Sequence, residues 1–338
     1  MPLIDLCRFR RIANRTVEFD RELFWKFKPN QILDVPGVYL KPVRINKWGF
    51  RGKDFEIEKP EARFRIICLG DSVTFGWSVG DDETYPYQLE RILKEKYPGC
   101  DIEVINLGVT GYTSFQGKML FEKFARKLKP DLVIFGFGPN DRYPALLSDQ
   151  EHYQYGTWKK NPLDLALSRL QIYKLLKSGI IYLIRRSQGL SLNPKTFLPR
   201  LKRKVSPEEY KENFAQIYQE CQPLGCEVIL LNVDFPNLAP DPVYQSLFEL
   251  AEKSGANLPE NFKEWRLIQT NSELAQEFQV PLLDIRALFK AYSETSAELM
   301  VDQGHPNARG HKLIALRLAD IIIASRNFQR FLKQCQTQ

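Results

Sequence analysis

The sequence predicts an α/β protein with a doubly wound, mostly parallel sheet flanked by helices. Short apolar runs alternate with stretches of helical spacing along most of the chain. The runs are continuously apolar, which is typical of strands covered on both faces. Repeated strand–helix–strand units at this spacing require right-handed crossovers and therefore a parallel sheet. These patterns together predict one domain at about residues 62–328.

The elements of this domain follow from the same two patterns. We predict strands at 64–70, 101–108, 131–138, 226–233 and 280–289. We predict helices at 83–98, 117–130, 206–225, 242–253 and 260–279, followed by a long amphipathic helix at the end. The helix at 206–225 carries a start signal, since Ser206 suits an N-cap, Pro207 the first turn and Glu209 a capping box.

Three segments depart from the alternation. Residues 1–61 contain prolines and short aromatic or β-branched pieces, so we expect an N-terminal extension of short strands and turns packing on the main domain. Residues 142–205 form a helical insertion of a length that suits a lid or a packing element. Its basic amphipathic helix leaves peripheral contact with an anionic membrane open. Residues 329–338 are expected to be a C-terminal tail.

The composition narrows the class of protein. The 338 residues are 43% hydrophobic and 26% charged with a net charge of +7, as in a soluble globular protein with a basic surface. No nucleic-acid-binding signature accompanies the charge, so we expect no nucleic-acid partner. The sequence shows no signal peptide and no apolar run near the roughly 20 residues that span a bilayer. We expect a cytoplasmic protein, or an exported or membrane-tethered one if the sequence is truncated.

Cysteine and histidine give no metal or redox pattern. The six cysteines are scattered, and the spacing of Cys221 and Cys226 fits neither a CxxC pair nor a zinc knuckle. We therefore expect reduced thiols, no metal and no cofactor. Of the three histidines, His152 receives no role, and His311 is expected to be exposed or packed on the last helix.

Polar residues follow the predicted strands at the edge where parallel sheets bind ligands. Asp71 and Ser72 follow the first strand, "NLGVTG" the second and "GPND" the third, while "DQGH" introduces the last helix. A serine hydroxyl becomes nucleophilic when a base accepts its proton, and His305 is the candidate base. Asp302 can hold that ring in the required tautomer, with Asp284 as a weaker alternative.

An attack by Ser72 on an ester would create an oxyanion that needs hydrogen-bond donors. The backbone N–H groups of Ser72 and Gly111 and the side-chain amide of Asn140 are the candidates. Each residue taken alone is compatible with an ordinary turn or helix cap, including Asp71, which suits either a structural role or support of the serine turn. The joint occurrence of all these residues favours a catalytic site.

The four blocks resemble those of the SGNH (GDSL-type) hydrolases. "GDSVTFG", "NLGVTG", "GPND" and "DQGH" occur in the order of that family between residues 70 and 305, and the resemblance covers roughly residues 62–328. The resemblance implies a flavodoxin-like sheet. It further implies Ser72 as nucleophile and Gly111 and Asn140 as oxyanion donors. Asp302 and His305 match the family's Asp-x-x-His pair. It does not reach residues 1–61 and does not explain the insertion at 142–205.

The resemblance implies a serine ester hydrolase acting through an acyl-enzyme on O-acyl or O-acetyl esters of carbohydrates or lipids. The same site in an acyltransferase, with a sugar hydroxyl in place of water, is an alternative. A catalytically silent binding protein is another, and a nucleotide binder is disfavoured because "GDSVTFG" is neither GxGxxG nor a P-loop. Bulky or charged residues beside the blocks are predicted to line the pocket: Trp77, Tyr112, Arg142 and Tyr143.

Overall fold

The computed structural model of the chain describes residues 15–34, 40–154, 193–234, 242–259, 262, 265–293 and 296–335. The chain divides into two compact units. The first comprises Met1–Asp141, Pro207–Phe235 and Arg266–Gln338, and the second comprises Arg142–Ser206 and Pro236–Trp265. The N-terminal extension thus shares a unit with the sheet, and the predicted insertion shares one with the later segment 236–265. The predicted boundaries at 61 and 328 stay predictions.

The described strands and helices are numbered here in chain order. The strands are β1 (Val17–Asp20), β2 (Phe24–Phe27), β3 (Gln31–Leu33), β4 (Val43–Ile45), β5 (Arg63–Gly70), β6 (Asp101–Asn106), β7 (Leu132–Gly136), β8 (Pro144–Ala145), β9 (Lys202–Arg203), β10 (Glu227–Asn232) and β11 (Leu282–Asp284). The α-helices are α1 (Ser72–Phe75), α2 (Tyr85–Lys96), α3 (Ser114–Lys123), α4 (Asp149–Gln154), α5 (Pro194–Phe197), α6 (Pro207–Cys221), α7 (Pro242–Ser254), α8 (Leu267–Glu277), α9 (Ile285–Tyr292), α10 (Ala308–Ala324) and α11 (Arg326–Cys335).

A five-stranded sheet in the order β11-β10-β7-β5-β6 forms the centre of the first unit. Its described pairings are all parallel. Counted along the chain, the strands lie in the order 2-1-3-4-5, which is the flavodoxin-like arrangement. The predicted fold class is confirmed. The order reverses between β5 and β7, so the carboxyl ends of these two strands flank the crevice where such sheets bind ligands.

Helices cover this sheet because its strands are apolar on both faces, and β7 is buried along its whole length. Helix α2 packs against α10, and α3 packs against α6. The predicted fifth strand is shorter than expected: it ends at Asp284, whose side chain accepts the backbone N–H of Arg286 and caps α9. His311, on α10, is fully buried, and its Nδ1 accepts the backbone N–H of Tyr85 at 3.2 Å.

The N-terminal extension contains two antiparallel pairs, β1–β2 and β3–β4. Aromatic side chains of β2 attach it to the sheet domain. Phe27 stacks on Phe75 at a ring-centroid distance of 5.3 Å, and Phe24 stacks on Phe115 at 5.9 Å. Phe75 ends α1 and Phe115 lies in α3, so the hairpin contacts the segments that follow β5 and β6. Burial of these rings accounts for the packing of an otherwise irregular extension.

The C-terminus differs from the expected tail. Residues 326–335 form helix α11, because Phe328, Phe331 and Leu332 recur at helical spacing and are buried. Cys335 forms a disulfide with Cys100 across a sequence separation of 235 residues. The expectation of reduced thiols is therefore wrong for this pair. The spacing of the cysteines carries no signal for it, since disulfide partners are set by proximity in the fold. The remaining described cysteines are free and buried: Cys68, Cys221 and Cys226.

The second unit has its own small core of Leu198, Leu201, Ala251 and Phe262. Strands β8 and β9 pair antiparallel within it. The predicted amphipathic helix of the insertion falls at 155–192, outside the described residues, and so does the proposed membrane contact. Among the residues that the structure does describe, there is no helix with the length and hydropathy needed to cross a membrane.

Candidate active site

Ser72 is the first residue of α1, directly after β5. Asp71 provides the N-cap, and its Oδ1 accepts the backbone N–H of Val73 at 2.9 Å. The helix is only four residues long and ends at Gly76, which adopts the left-handed conformation with φ +85°. Such a tight turn holds the serine at the carboxyl edge of the sheet, where its side chain is half-buried.

A continuous hydrogen-bonded chain joins Ser72, His305 and Asp302. Ser72 Oγ lies 2.9 Å from His305 Nε2. His305 Nδ1 lies 2.8 Å and 2.9 Å from the two carboxylate oxygens of Asp302. A carboxylate only accepts hydrogen bonds, so it assigns the proton of the neutral ring to Nδ1 and leaves Nε2 free to accept from the serine hydroxyl. The structure therefore brings together three residues that are separated by up to 233 positions in sequence.

Local contacts fix the loop that carries the acid and the histidine. Burial tends to raise the pKa of Asp302, but hydrogen bonds from His305 and from the backbone N–H of Gly304 hold it below its ordinary value. The carboxylate is thus ionised when it faces the imidazole. A backbone hydrogen bond of 2.8 Å from Val301 N–H to His305 C=O closes the loop. Asp302 is therefore placed to hold the ring in the orientation that the predicted role requires.

Gly108 and Gly111 shape the turn after β6. The Gly108 backbone approaches α1 so closely that a side chain would clash: a Cβ there would lie 2.3 Å from Phe75 N. Gly111 has φ +81°, a conformation that favours glycine. Gly108 lets the "NLGVTG" turn lie against the serine helix. The role of Gly111 as an oxyanion donor stays a prediction.

Asn140, after β7, has its amide directed at two acceptors. Its Nδ2 donates to Tyr112 C=O at 3.0 Å and to Asp71 Oδ2 at 3.3 Å. An amide has two N–H bonds, and both are therefore used in the absence of substrate. The contact with Asp71 is the longer of the two. An oxyanion beside Ser72 would compete with Asp71 for that N–H.

Asp71 is a buried carboxyl group directly beside the candidate nucleophile. Burial raises its pKa to about 6, although the hydrogen bond from Val73 N–H and the nearby charge of His305 act in the opposite direction. The side chain is 1% exposed. It links the serine turn, through Val73, to Asn140. The carboxyl group therefore couples the helix cap to the orientation of a candidate oxyanion donor.

Arg51, from the N-terminal extension, holds the end of the serine helix. Its guanidinium donates to the carbonyl groups of Phe75 at 3.0 Å and Val79 at 2.6 Å, and also to that of Gly76. Its Nε pairs with Asp81 Oδ1 at 2.9 Å. The arginine side chain is almost completely buried. Nothing in the sequence around "NKWGFRG" signals this role, because the partners are backbone groups about 25 residues away.

The four predicted pocket residues occupy different places. The Trp77 ring is half-buried and lies 6.1 Å from the His305 ring, centroid to centroid. Tyr112 does not lie at a rim: it is 1% exposed and packs edge-on against Trp25 at 5.5 Å. Arg142 and Tyr143 belong to the second unit, where their backbone carbonyls accept hydrogen bonds from the strand around β9.

Two aspartates near the blocks have structural partners. Asp284, the weaker alternative for orienting the histidine, accepts from Asn232 Nδ2 at 2.9 Å in addition to capping α9. Asp141 is fully buried and accepts the backbone N–H of Ser114 at 3.0 Å, which anchors the start of α3 beside the third block. Within the described part of the chain, no cluster of three or more His, Cys, Asp or Glu side chains is arranged to hold a metal ion.

A parallel α/β sheet with a hydrogen-bonded Ser–His–Asp chain at its carboxyl edge has the arrangement of a serine hydrolase. Comparison with known families agrees with this class. The chain matches the GDSL-like lipase/acylhydrolase family over residues 68–313 and belongs to that family. The family named from the four sequence blocks is thereby confirmed.

Two curated relatives carry enzyme names. An acetylxylan esterase from Xylanibacter ruminicola is 24% identical over 311 residues, covering 89% of this chain and 48% of the relative. An arylesterase from Vibrio mimicus is 31% identical over 81 residues, covering 24% of this chain and 40% of the relative. The matches therefore span less than half the length of these relatives. A solved acetylxylan esterase from Geobacillus stearothermophilus aligns with a TM-score of 0.44 at 18% identity, covering 78% of this chain and 95% of the other.

Proposed function

We propose that the protein is a serine ester hydrolase that removes acyl groups, above all acetyl groups, from carbohydrate esters through an acyl-enzyme intermediate. The observation that carries the proposal is the hydrogen-bonded chain of Ser72 Oγ, the His305 ring and the Asp302 carboxylate. In this arrangement a base contacts the nucleophile on one side and an orienting carboxylate on the other. A serine with only a structural role does not require a base and an orienting carboxylate beside it.

Acylation follows from the positions of these groups. Ser72 Oγ attacks the ester carbonyl carbon while its proton passes to His305 Nε2, and Asp302 stabilises the resulting imidazolium. The carbonyl π electrons move to the oxygen, which accepts from the backbone N–H groups of Ser72 and Gly111. Asn140 contributes by exchanging its 3.3 Å contact with Asp71 for the oxyanion. Collapse of the tetrahedral species breaks the bond to the alcohol, which leaves with the proton held by His305.

Deacylation reverses these roles. A water molecule attacks the acyl carbon, and His305 Nε2 accepts its proton. The same donors stabilise the second oxyanion. When the acyl–Oγ bond breaks, the carboxylic acid leaves and Ser72 recovers its proton from His305. The site returns to its starting state with one water consumed.

The choice of carbohydrate acetates is supported by a relative. The longer of the two curated matches is named an acetylxylan esterase and covers 89% of this chain. The sequence alone predicts lipid esters equally, and the preference for acyl-chain length discriminates between the two substrate classes. A site for acetyl groups should lose activity steeply as the acyl chain lengthens.

The test compares the wild type with Ser72→Ala on p-nitrophenyl acetate, butyrate and octanoate, and on acetylated xylooligosaccharides. We expect hydrolysis that favours acetate and release of acetic acid from the oligosaccharides. Ser72→Ala should lower kcat by about 10³ or more. Equal activity in both proteins would refute the assignment of the nucleophile. A wild type that prefers octanoate and ignores the acetylated sugars would refute the substrate class.

A further inference from the structure

The β1–β2 hairpin of the N-terminal extension reaches the loop between β6 and α3 (residues 107–113), which contains Gly111 and is called here the candidate oxyanion loop. Beyond the ring contacts of Phe24 and Phe27, Gln116 Nε2 donates to Leu23 C=O at 2.7 Å. The hydroxyl of Tyr112 donates to Trp25 C=O. Tyr112 directly follows Gly111, and Gln116 lies in the first turn of α3. The hairpin is therefore fixed to the same loop that presents the Gly111 N–H, although residues 15–34 precede the region matched by the family.

Trp25 is the hairpin residue that lies against Gly111. A methyl group built on Gly111 would lie 3.5 Å from Trp25 Cζ2, and no other described atom outside the neighbouring residues would lie within 4 Å of it. The backbone at Phe24, which precedes the tryptophan, has φ +68°, a conformation that is rare for a bulky residue. Such strain persists where the surroundings fix it, and it clusters at binding sites. Here the strained residue is held by its stacked contact with Phe115.

The indole of Trp25 is only partly engaged in packing and hydrogen bonding within the fold. Its ring is half-buried, and one edge packs against Tyr112. Within the described ranges, no acceptor receives a hydrogen bond from its Nε1–H. A structural tryptophan usually finds such a partner, as Trp48 does when its Nε1 donates to Phe55 C=O at 2.8 Å. Trp25 thus combines an apolar surface with an available donor beside the loop expected to bind the ester carbonyl.

We propose that Trp25 is a substrate-binding residue that packs against the sugar ring of the ester and sets the preference for carbohydrate alcohols. This inference rests on the proposed function. The C–H groups of a pyranose form an apolar face that an indole can cover, and its hydroxyls can accept from the indole N–H. Pockets for small molecules commonly combine aromatic walls with a few directed polar groups. The extension thereby contributes directly to the site.

The experiment measures KM and kcat of the wild type, Trp25→Ala and Trp25→Phe on acetylated xylooligosaccharides and on p-nitrophenyl acetate and butyrate. We expect Trp25→Ala to raise KM for the oligosaccharide about tenfold while kcat changes less than about threefold. Both constants for p-nitrophenyl acetate should stay within about threefold of the wild type. Trp25→Phe keeps an aromatic ring in the packed position, so it tests the indole even if Trp25→Ala fails to fold. Trp48→Phe is the matched control in the same extension.

Several outcomes would overturn the inference. An unchanged KM for the oligosaccharide in both Trp25 variants would show that the indole does not contact the sugar. An equal loss of activity on both substrates would mean that the substitution damages the candidate oxyanion loop instead. Improved hydrolysis of p-nitrophenyl butyrate relative to acetate would place Trp25 on the acyl side of the ester. Each of these results leaves the proposed function intact, provided that activity still depends on Ser72. A wild type without any Ser72-dependent hydrolysis would reject the function itself.

Discussion

Replacing Asp71 with asparagine removes a buried charge from beside the candidate nucleophile while keeping the shape of the side chain. The folded protein raises the pKa of Asp71 from an ordinary value of 3.8 to about 6, mainly by burial. Between these two values the folded state retains a proton that the unfolded state has lost. The free energy of unfolding therefore falls as pH rises through this window. Above about pH 6 the Asp71 carboxyl group is ionised in both states, and the free energy of unfolding is then lowered by the full cost of burying its charge.

The size of this cost follows from the pKa values. The difference between 3.8 and about 6 corresponds to about 3 kcal/mol, at about 1.4 kcal/mol for each pH unit. The asparagine side chain of the variant carries no charge, so its burial does not lower the free energy of unfolding in this way. The stability of Asp71→Asn relative to the wild type should therefore rise by about 3 kcal/mol between about pH 4 and pH 8. Other titrating groups largely cancel in this comparison because they are common to both proteins.

Urea unfolding of both proteins at several pH values across this range measures the difference. A difference that stays constant across the range would refute the reasoning. Activity supplies a second readout, because the new amide presents an N–H group to Asn140 Nδ2 where the carboxylate accepted one. We expect kcat to fall by about tenfold or more, since complete loss of an oxyanion donor costs about 10²–10³. Unchanged kcat would mean that Asp71 does not orient Asn140.

Two further predictions concern groups outside the reacting atoms. Arg51→Lys should lower the free energy of unfolding by about 2–4 kcal/mol, because one ammonium group cannot reach the carbonyls of both Phe75 and Val79. Urea unfolding checks this, and a loss below about 0.5 kcal/mol would contradict a role for the guanidinium. Cys335→Ser should cost about 2–5 kcal/mol by opening the long loop closed with Cys100. Dithiothreitol should destabilise the wild type to the same extent and leave the variant unaffected; a wild type insensitive to the reductant would contradict the disulfide.

The sheet is predictable from sequence because its signals are local. Each of the first four central strands is a continuous apolar run, and the observed strands end within two residues of the predicted ends. The predicted fifth strand is too long because the apolar pattern of "VPLLDIRALF" continues through the start of α9. Only the cap at Asp284 separates the strand from the helix. Periodicity alone does not distinguish a short buried strand from a buried helical turn.

The candidate triad is predictable because its residues lie in short blocks at the ends of elements. The contacts that support the triad and its loops are not predictable from the sequence. Arg51 donates to backbone carbonyls, and backbone acceptors leave no trace in the sequence. The size of Tyr112 suits a pocket rim, but its ring packs inward and Trp25 lies beside Gly111 instead. Similarly, Cys335 reaches its disulfide partner only because α11 folds back on the sheet domain.

The disulfide also bears on where the protein operates. Disulfides persist in oxidising compartments and are rare where glutathione and thioredoxin keep thiols reduced. The bond between Cys100 and Cys335 is therefore more typical of the exported alternative than of a cytoplasmic protein, and the cellular location stays a prediction.

The N-terminal extension contacts the candidate site at two points. It supplies the guanidinium that donates to the end of the serine helix and the indole that lies beside Gly111. Without the extension, the carbonyls of Phe75 and Val79 would lose their donor, and burying them unpaired would cost about 1–3 kcal/mol each. The aromatic rings of Phe75 and Phe115 would lose their stacked partners. The serine helix and the candidate oxyanion loop are therefore contacted by residues that precede the part of the chain matched by the family.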